Sequence, residues 1–260
     1  MSTQLMTPMP FREALERVSQ SAVLPSTLSH AELGQIASSL RERTFTAARV
    51  ANAEALQRLR DTVTQIVDGK LTGTGARKEL RDIGLPPARI DLIVSTNVEL
   101  ARGYGNWRQA QEPEVLDQYP AWEFFRAEQR MEPRVWPERW AEAGGTFFEG
   151  ESDYSEGRMV ALANDPIWTA ISAFGLPFPP FDFNSGMYTR DIARDEAEEL
   201  GLLAPGEDAP EPEQRDFAKD ETYTSPSELD DDLKAQLLSD VGEDYEFDED
   251  GVLTRKKVTV

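Results

Sequence analysis

The sequence predicts an α+β protein, predominantly helical, in three parts: a long N-terminal amphipathic helix unit, a small aromatic-rich α+β domain and an acidic tail. Three observations predict it. Between Gly34 and Gly69 there is no Gly or Pro, and apolar or small residues recur in steps close to three and four, the period of one helix face. Aromatic residues and prolines then crowd the stretch from Trp122 to Phe183. Finally, the charge shifts along the chain. Residues 1–110 carry 14 Lys+Arg and 11 Asp+Glu, residues 111–200 carry 7 and 19, and residues 201–260 carry 6 and 18.

Residues 1–28, with Pro8, Pro10 and Pro25, read as an extended arm holding one short helix around Phe11 to Ser19. Ser29-His30-Ala31-Glu32 has the form of a capping box, flanked by Leu28 and Leu33 at the staple positions. Leu33, Ile36, Leu40, Ala48, Ala51, Ala55, Leu59, Val63 and Ile66 then mark one long helix ended by Asp68-Gly69. The one irregular step lies between Leu40 and Ala48. Leu71 to Gly84 reads as a turn and a short helix. Pro86-Pro87 opens another helix with Ile90, Ile93, Val94, Val98 and Ala101 on its buried face, fraying near Gly103 to Gly105. Residues 29–110 are therefore expected to form a helical domain.

The expected α+β domain covers residues 111–203. Trp122 to Glu128 reads as a strand, Arg134 to Ala143 as a short helix carrying Trp136 and Trp140, and Thr146 to Phe148 as a second strand. Glu149 to Arg158 is an acidic loop. Asp165-Pro166 suits a helix start, and Arg194 to Leu200, followed by Gly201, suits the last helix. Between them, Phe178-Pro179-Pro180-Phe181-Asp182-Phe183-Asn184-Ser185-Gly186-Met187 cannot be a regular helix or a central strand. Proline lacks the backbone donor and fixes φ, and glycine admits angles other residues avoid. It reads as a packed loop with Trp168, Phe178, Phe181 and Phe183 as its core. Residues 204–260 read as an acidic, largely extended tail. Within it Leu233, Leu237 and Leu238 suit one docking helix, and Tyr245 to Val260 a hairpin around Asp250-Gly251.

Composition narrows the function classes. No apolar run approaches the ~20 residues of a membrane span, and Met1 to Pro10 lacks the pattern of a secretory signal. There is no cysteine and one histidine, His30, inside the capping box, so Ser-His-Asp and Cys-His devices are excluded by inventory. No zinc site is expected, because carboxylates alone make a poor one. A net charge of −21 disfavours broad DNA binding. Arg41, Arg43 and Arg49 could touch phosphates, although acids sit among them and ordinary ion pairs explain them more simply.

Several pieces in order resemble the phage head-morphogenesis family, the Mu F-like minor head proteins. Arg43 to Ala48 looks like that family's Arg-x-Phe-x-x-Ala stretch, and Tyr119 to Ala127, with Trp122, Phe124 and Arg126, its aromatic strand. Arg134 opens the next segment. Asp165 and Trp168 lead into Pro179-Pro180 and Asn184, similar to the family's Asp-aromatic segment and Pro-Pro-x-x-x-Asn turn. The resemblance covers roughly residues 40–203. Two departures stand out: Trp136-Pro137-Glu138 fills a region where many members carry a histidine, and Ser185-Gly186-Met187 replaces a Cys-Arg-Cys.

The resemblance implies a structural, non-enzymatic protein of a tailed phage or prophage head; the family's histidine and cysteines invite a metal reading, but their replacement here leaves no metal site or cofactor expected. It would assemble in the host cytoplasm and lie in the virion at the capsid interior or portal vertex. Its implied partners are the portal protein, the inner surface of the major capsid protein and packaged DNA. Arg41, Arg43, Arg49, Leu233 and Leu237 are the candidate partner contacts, and portal or capsid symmetry would set copy number. The alternatives are a Mg²⁺-dependent carboxylate enzyme acting on nucleic acid or nucleotides, and a transient scaffold-like assembly chaperone.

Overall fold

The computed structural model describes residues 12–36, 44–128, 134–213, 231–249 and 251–257. They are α+β with more helix than strand, and none of the described helices is long and apolar enough to cross a membrane. The chain divides into two compact units, Met1–Arg102 with Phe217–Val260, and Gly103–Asp216.

In the first unit, α1 (Arg12–Gln20) precedes a two-residue strand β1 (Ala22–Val23), which pairs in parallel with β2 (Thr44–Phe45). The capping box forms at α2 (His30–Leu33): the Glu32 N–H donates to Ser29 Oγ at 3.3 Å, and the Ser29 N–H to the Glu32 carboxylate at 2.8 Å. Three further helices follow: α3 (Ala53–Val67), α4 (Gly73–Glu79) and α5 (Pro87–Ala110). Leu56, Leu59, Val63, Leu80, Ile90 and Val94 meet in an aliphatic core. Arg60 lies buried at its border, its Nη1 donating to the Ser21 carbonyl at 3.0 Å.

The single long helix expected over 29–68 is corrected here. Its stretch holds α2, the strand β2 and the separate helix α3, with residues 37–43 outside the described set. Asn52 starts α3 afresh by accepting the Ala55 N–H at 2.7 Å on its side chain. Arg49, at φ 56°, takes a backbone no right-handed helix can include. The Thr72 to Gly75 segment is likewise the first turn of α4, with Thr72 as its cap, rather than a separate turn. Nor does α5 fray at Gly103; it continues to Ala110.

Within the expected tail, the helix around Leu237 and the hairpin around Gly251 both form, and residues 214–230 lie outside the described set. The described residues 231–257 form α10 (Asp231–Val241) and a hairpin of β7 (Tyr245–Phe247) and β8 (Leu253–Arg255). Leu237, Tyr245 and Leu253 are buried with Ala22, Leu24, Leu28, Leu33 and Ile36 in a second apolar cluster of the first unit. Leu253 also bridges Ser26 in parallel. Its N–H donates to Pro25 and its carbonyl accepts from Thr27, both at 3.4 Å. A stretch rich in acids still orders when three apolar side chains find a prepared surface.

The second unit places α6 (Pro113–Gln118) before a four-stranded antiparallel sheet of order β4-β5-β3-β6. Its strands are β3 (Ala121–Arg126), β4 (Phe147–Phe148), β5 (Arg158–Leu162) and β6 (Met187–Ile192). The sheet is completed by α7 (Trp136–Glu142), α8 (Ile167–Ala170) and α9 (Arg194–Glu199). Alternation along β3 sends Trp122 and Phe124 to one face and Ala121 and Glu123 to the other. The first face meets an aromatic core, with Phe124 ring centroids 5.1 Å from Trp136 and 5.3 Å from Phe181, and Trp140 5.5 Å from Trp168. On the second face Ala121, Val160 and Ile192 pack with Ala197 of α9.

Candidate functional site

The residues that carry the Pro-Pro motif converge in the second unit. Trp122, Phe124 and Trp168 are buried on the aromatic face of the sheet, and the Trp168 indole N–H donates to the Leu162 carbonyl at 2.7 Å. Asp165 opens α8 by accepting the Ile167 N–H at 2.8 Å. The loop rests on Phe178 and Phe181, both fully buried, with a cis peptide between Pro179 and Pro180. Phe183 is only half-buried and packs on Phe174 instead. Asp182 anchors the loop, receiving Arg134 Nε at 2.8 Å and Arg139 Nη1 at 3.3 Å. Arg134 Nη2 adds a bond to the Phe183 carbonyl at 2.8 Å. Asn184, at φ 48°, turns the chain, and Ser185 Oγ accepts the Met187 N–H at 3.2 Å to start β6.

Gly103 of α5 lies against this loop. A Cβ there would stand 2.0 Å from the Pro179 carbonyl oxygen, so the close approach admits only glycine.

The opposite face of the sheet carries a polar cluster that sequence reasoning missed. Glu123 is only 3% exposed, and its Oε2 accepts from Arg158 on β5 at 2.6 Å and from Arg190 on β6 at 2.8 Å. Arg158 extends to Glu196 on α9 at 2.6 Å, tying strand to helix. Hydrogen bonding to Glu123 is the largest influence raising the Arg158 pKa. A charge so buried is stable only when paired this completely. Beside it lies an open pocket of about 220 Å³, with Glu123, Phe125, Glu151, Asp153, Tyr154 and Arg190 in its lining. Tyr154 reaches from the acidic loop, its hydroxyl accepting from Arg126 at 2.9 Å and donating to Met187 Sδ at 3.4 Å. Burial pushes its phenol above the usual tyrosine range, with the Arg126 charge opposing.

The candidate partner contacts do not gather. Arg41 and Arg43 lie outside the described residues, as does the side chain of Leu233, while Arg49 sits exposed in a turn. Leu237 is fully buried in the second apolar cluster of its own unit. His30 begins α2. Among the described residues no group of three or more His, Cys, Asp or Glu is placed to hold a metal ion. Comparison with protein-family models, curated proteins and solved structures finds no match for this chain.

Proposed function

We propose that the chain is a structural minor head protein of a tailed phage or prophage, associating with the portal during head assembly. One observation carries the reading. The aromatic-strand and Pro-Pro pieces of the resemblance, scattered from Trp122 to Asn184, meet at a single aromatic core and its capping loop within one unit. The arrangement is one of packing, anchored by Asp182 between two arginines. Charge supports a protein partner over DNA: residues 103–216 hold 9 Lys+Arg against 24 Asp+Glu, a surface that repels phosphate and complements a basic wall. The acidic loop and the pocket beside Glu123 are the part of this unit we assign to that contact.

The test is co-expression with the portal protein encoded nearby, followed by size-exclusion chromatography with light scattering. A complex of fixed stoichiometry is expected, weakened by salt and by Glu151→Lys with Asp153→Lys. A chain that elutes apart from the portal at every salt concentration removes the proposal.

A further inference from the structure

The apolar cradle of the first unit is filled by a segment distant in sequence. Ala22, Leu24, Leu28, Leu33 and Ile36 form it, and Leu237, Tyr245 and Leu253 fill it. Among the described residues, this cluster is distinct from the aliphatic core of α3, α4 and α5, in which no residue of 231–257 appears.

The filling segment is also largely built from its own contacts. Its hairpin is closed by Asp248, whose side chain accepts the Val252 N–H at 2.9 Å, and by the Lys256 N–H donating to the Asp244 carbonyl at 2.8 Å. Polar ties between described residues of the segment and the cradle include long ones. Among them are two backbone bonds at 3.4 Å, a Thr27 hydroxyl bond at 3.3 Å, and an exposed Arg255–Glu32 ion pair at 3.7 Å. Residues 214–230 join this segment to the second unit, a length of chain that spans at most about 60 Å.

We infer that the cradle is an exchange site, and that its second occupant is residues 231–257 of another copy of this chain. The same contacts form in trans as in cis, so exchange has little enthalpic cost and is governed by concentration. Linked segments of this kind compete at an effective concentration of roughly millimolar. Dilute protein therefore closes on itself, and copies crowded into an assembly link to one another. This inference stands apart from the portal reading, since it needs only the chain itself.

The absence of cysteine gives a clean experiment. Thr27 and Thr254 flank the Ser26–Leu253 bridge, one exposed and the other half-buried. Full-length Thr27→Cys and Thr254→Cys variants, each checked for native far-UV circular dichroism and thermal melting, are mixed and held overnight. They are then treated with a short bismaleimide and resolved on a denaturing gel. A covalent heterodimer is expected, increasing at least several-fold from micromolar to millimolar protein. The double variant should cross-link within one chain when dilute. A Thr27→Cys and Glu79→Cys mixture measures random collision. The inference is overturned if the test mixture gives no more dimer than this control, or if the dilute double variant fails to cross-link at all.

Discussion

Two ways of building a core sit side by side in this chain. Residues 53–101 bury leucine, valine and isoleucine from helices, side chains without polar atoms that need only fill space. Residues 122–187 bury tryptophan and phenylalanine from a strand, two short helices and an irregular loop. There two indole nitrogens find carbonyl partners: Trp168 donates to Leu162 and Trp140 to the Thr146 carbonyl at 2.9 Å. The first core tolerates local repacking. The second fixes loop positions ring by ring, and its glycines show it, since a Cβ at Gly145 would stand 2.2 Å from the Trp140 indole nitrogen.

The difference can be broken or sharpened by substitution, with each unit's unfolding followed by its own signal. Near-UV circular dichroism reports the tryptophans, all of which belong to the second unit, and far-UV signal is dominated by helix. Gly103→Ala should have the largest effect. Its Cβ meets a backbone oxygen rather than a flexible side chain, and a loss of at least about 4 kcal/mol is expected, confined to the near-UV transition. A fall in both transitions together would show that the units do not unfold separately.

Glu123→Gln comes next, at about 3 kcal/mol, because it leaves Arg158 and Arg190 without their shared carboxylate. If thermal melts show it to be neutral, the cluster is not holding the strands. Leu59→Ala, fully buried in the aliphatic core, should cost about 2–3 kcal/mol in the far-UV transition, at the low end for leucine truncations because helices can close on the gap. A near-UV shift of equal size would contradict the division into two cores.

The smallest effect concerns pH. Glu32 is held below its ordinary value of 4.5, chiefly by accepting the Ser29 backbone N–H, with Ser29 Oγ and the charge of Arg255 adding. A lowered folded value means that the ionised carboxylate stabilises the unit above pH 4.5, and that this is lost as pH falls through the folded value. Glu32→Gln should therefore melt below the wild type at neutral pH and converge with it under acid. A constant gap across pH would place the role of Glu32 in shape rather than charge.

Much of this was legible in the chain and some was not. The capping box, the helix opened by Pro87 and the aromatic strand all follow local rules, which a single sequence exposes. The long helix failed because alanines at 48 and 51 continued a helical spacing through what became a turn. The warning was the irregular step after Leu40, with Asn52 standing as a new cap. Strands β5 and β6 were missed because they are short and flanked by irregular chain, where β-propensity decides little without a partner. The Glu123 cluster was beyond reach for a different reason. Arg158 and Arg190 lie 35 and 67 residues away, and nothing local marks two of the chain's arginines as its neighbours.

The filling of the cradle also has a schedule. Leu24 and Leu28 leave the ribosome more than two hundred residues before Leu237, an interval of about 10–40 s at usual elongation rates. Throughout it the nascent chain carries an open apolar surface, and every product of interrupted translation keeps it. Such products would be the first to aggregate or be degraded. Closure of the cradle thus distinguishes chains that have been translated through Leu253 from those that stopped short.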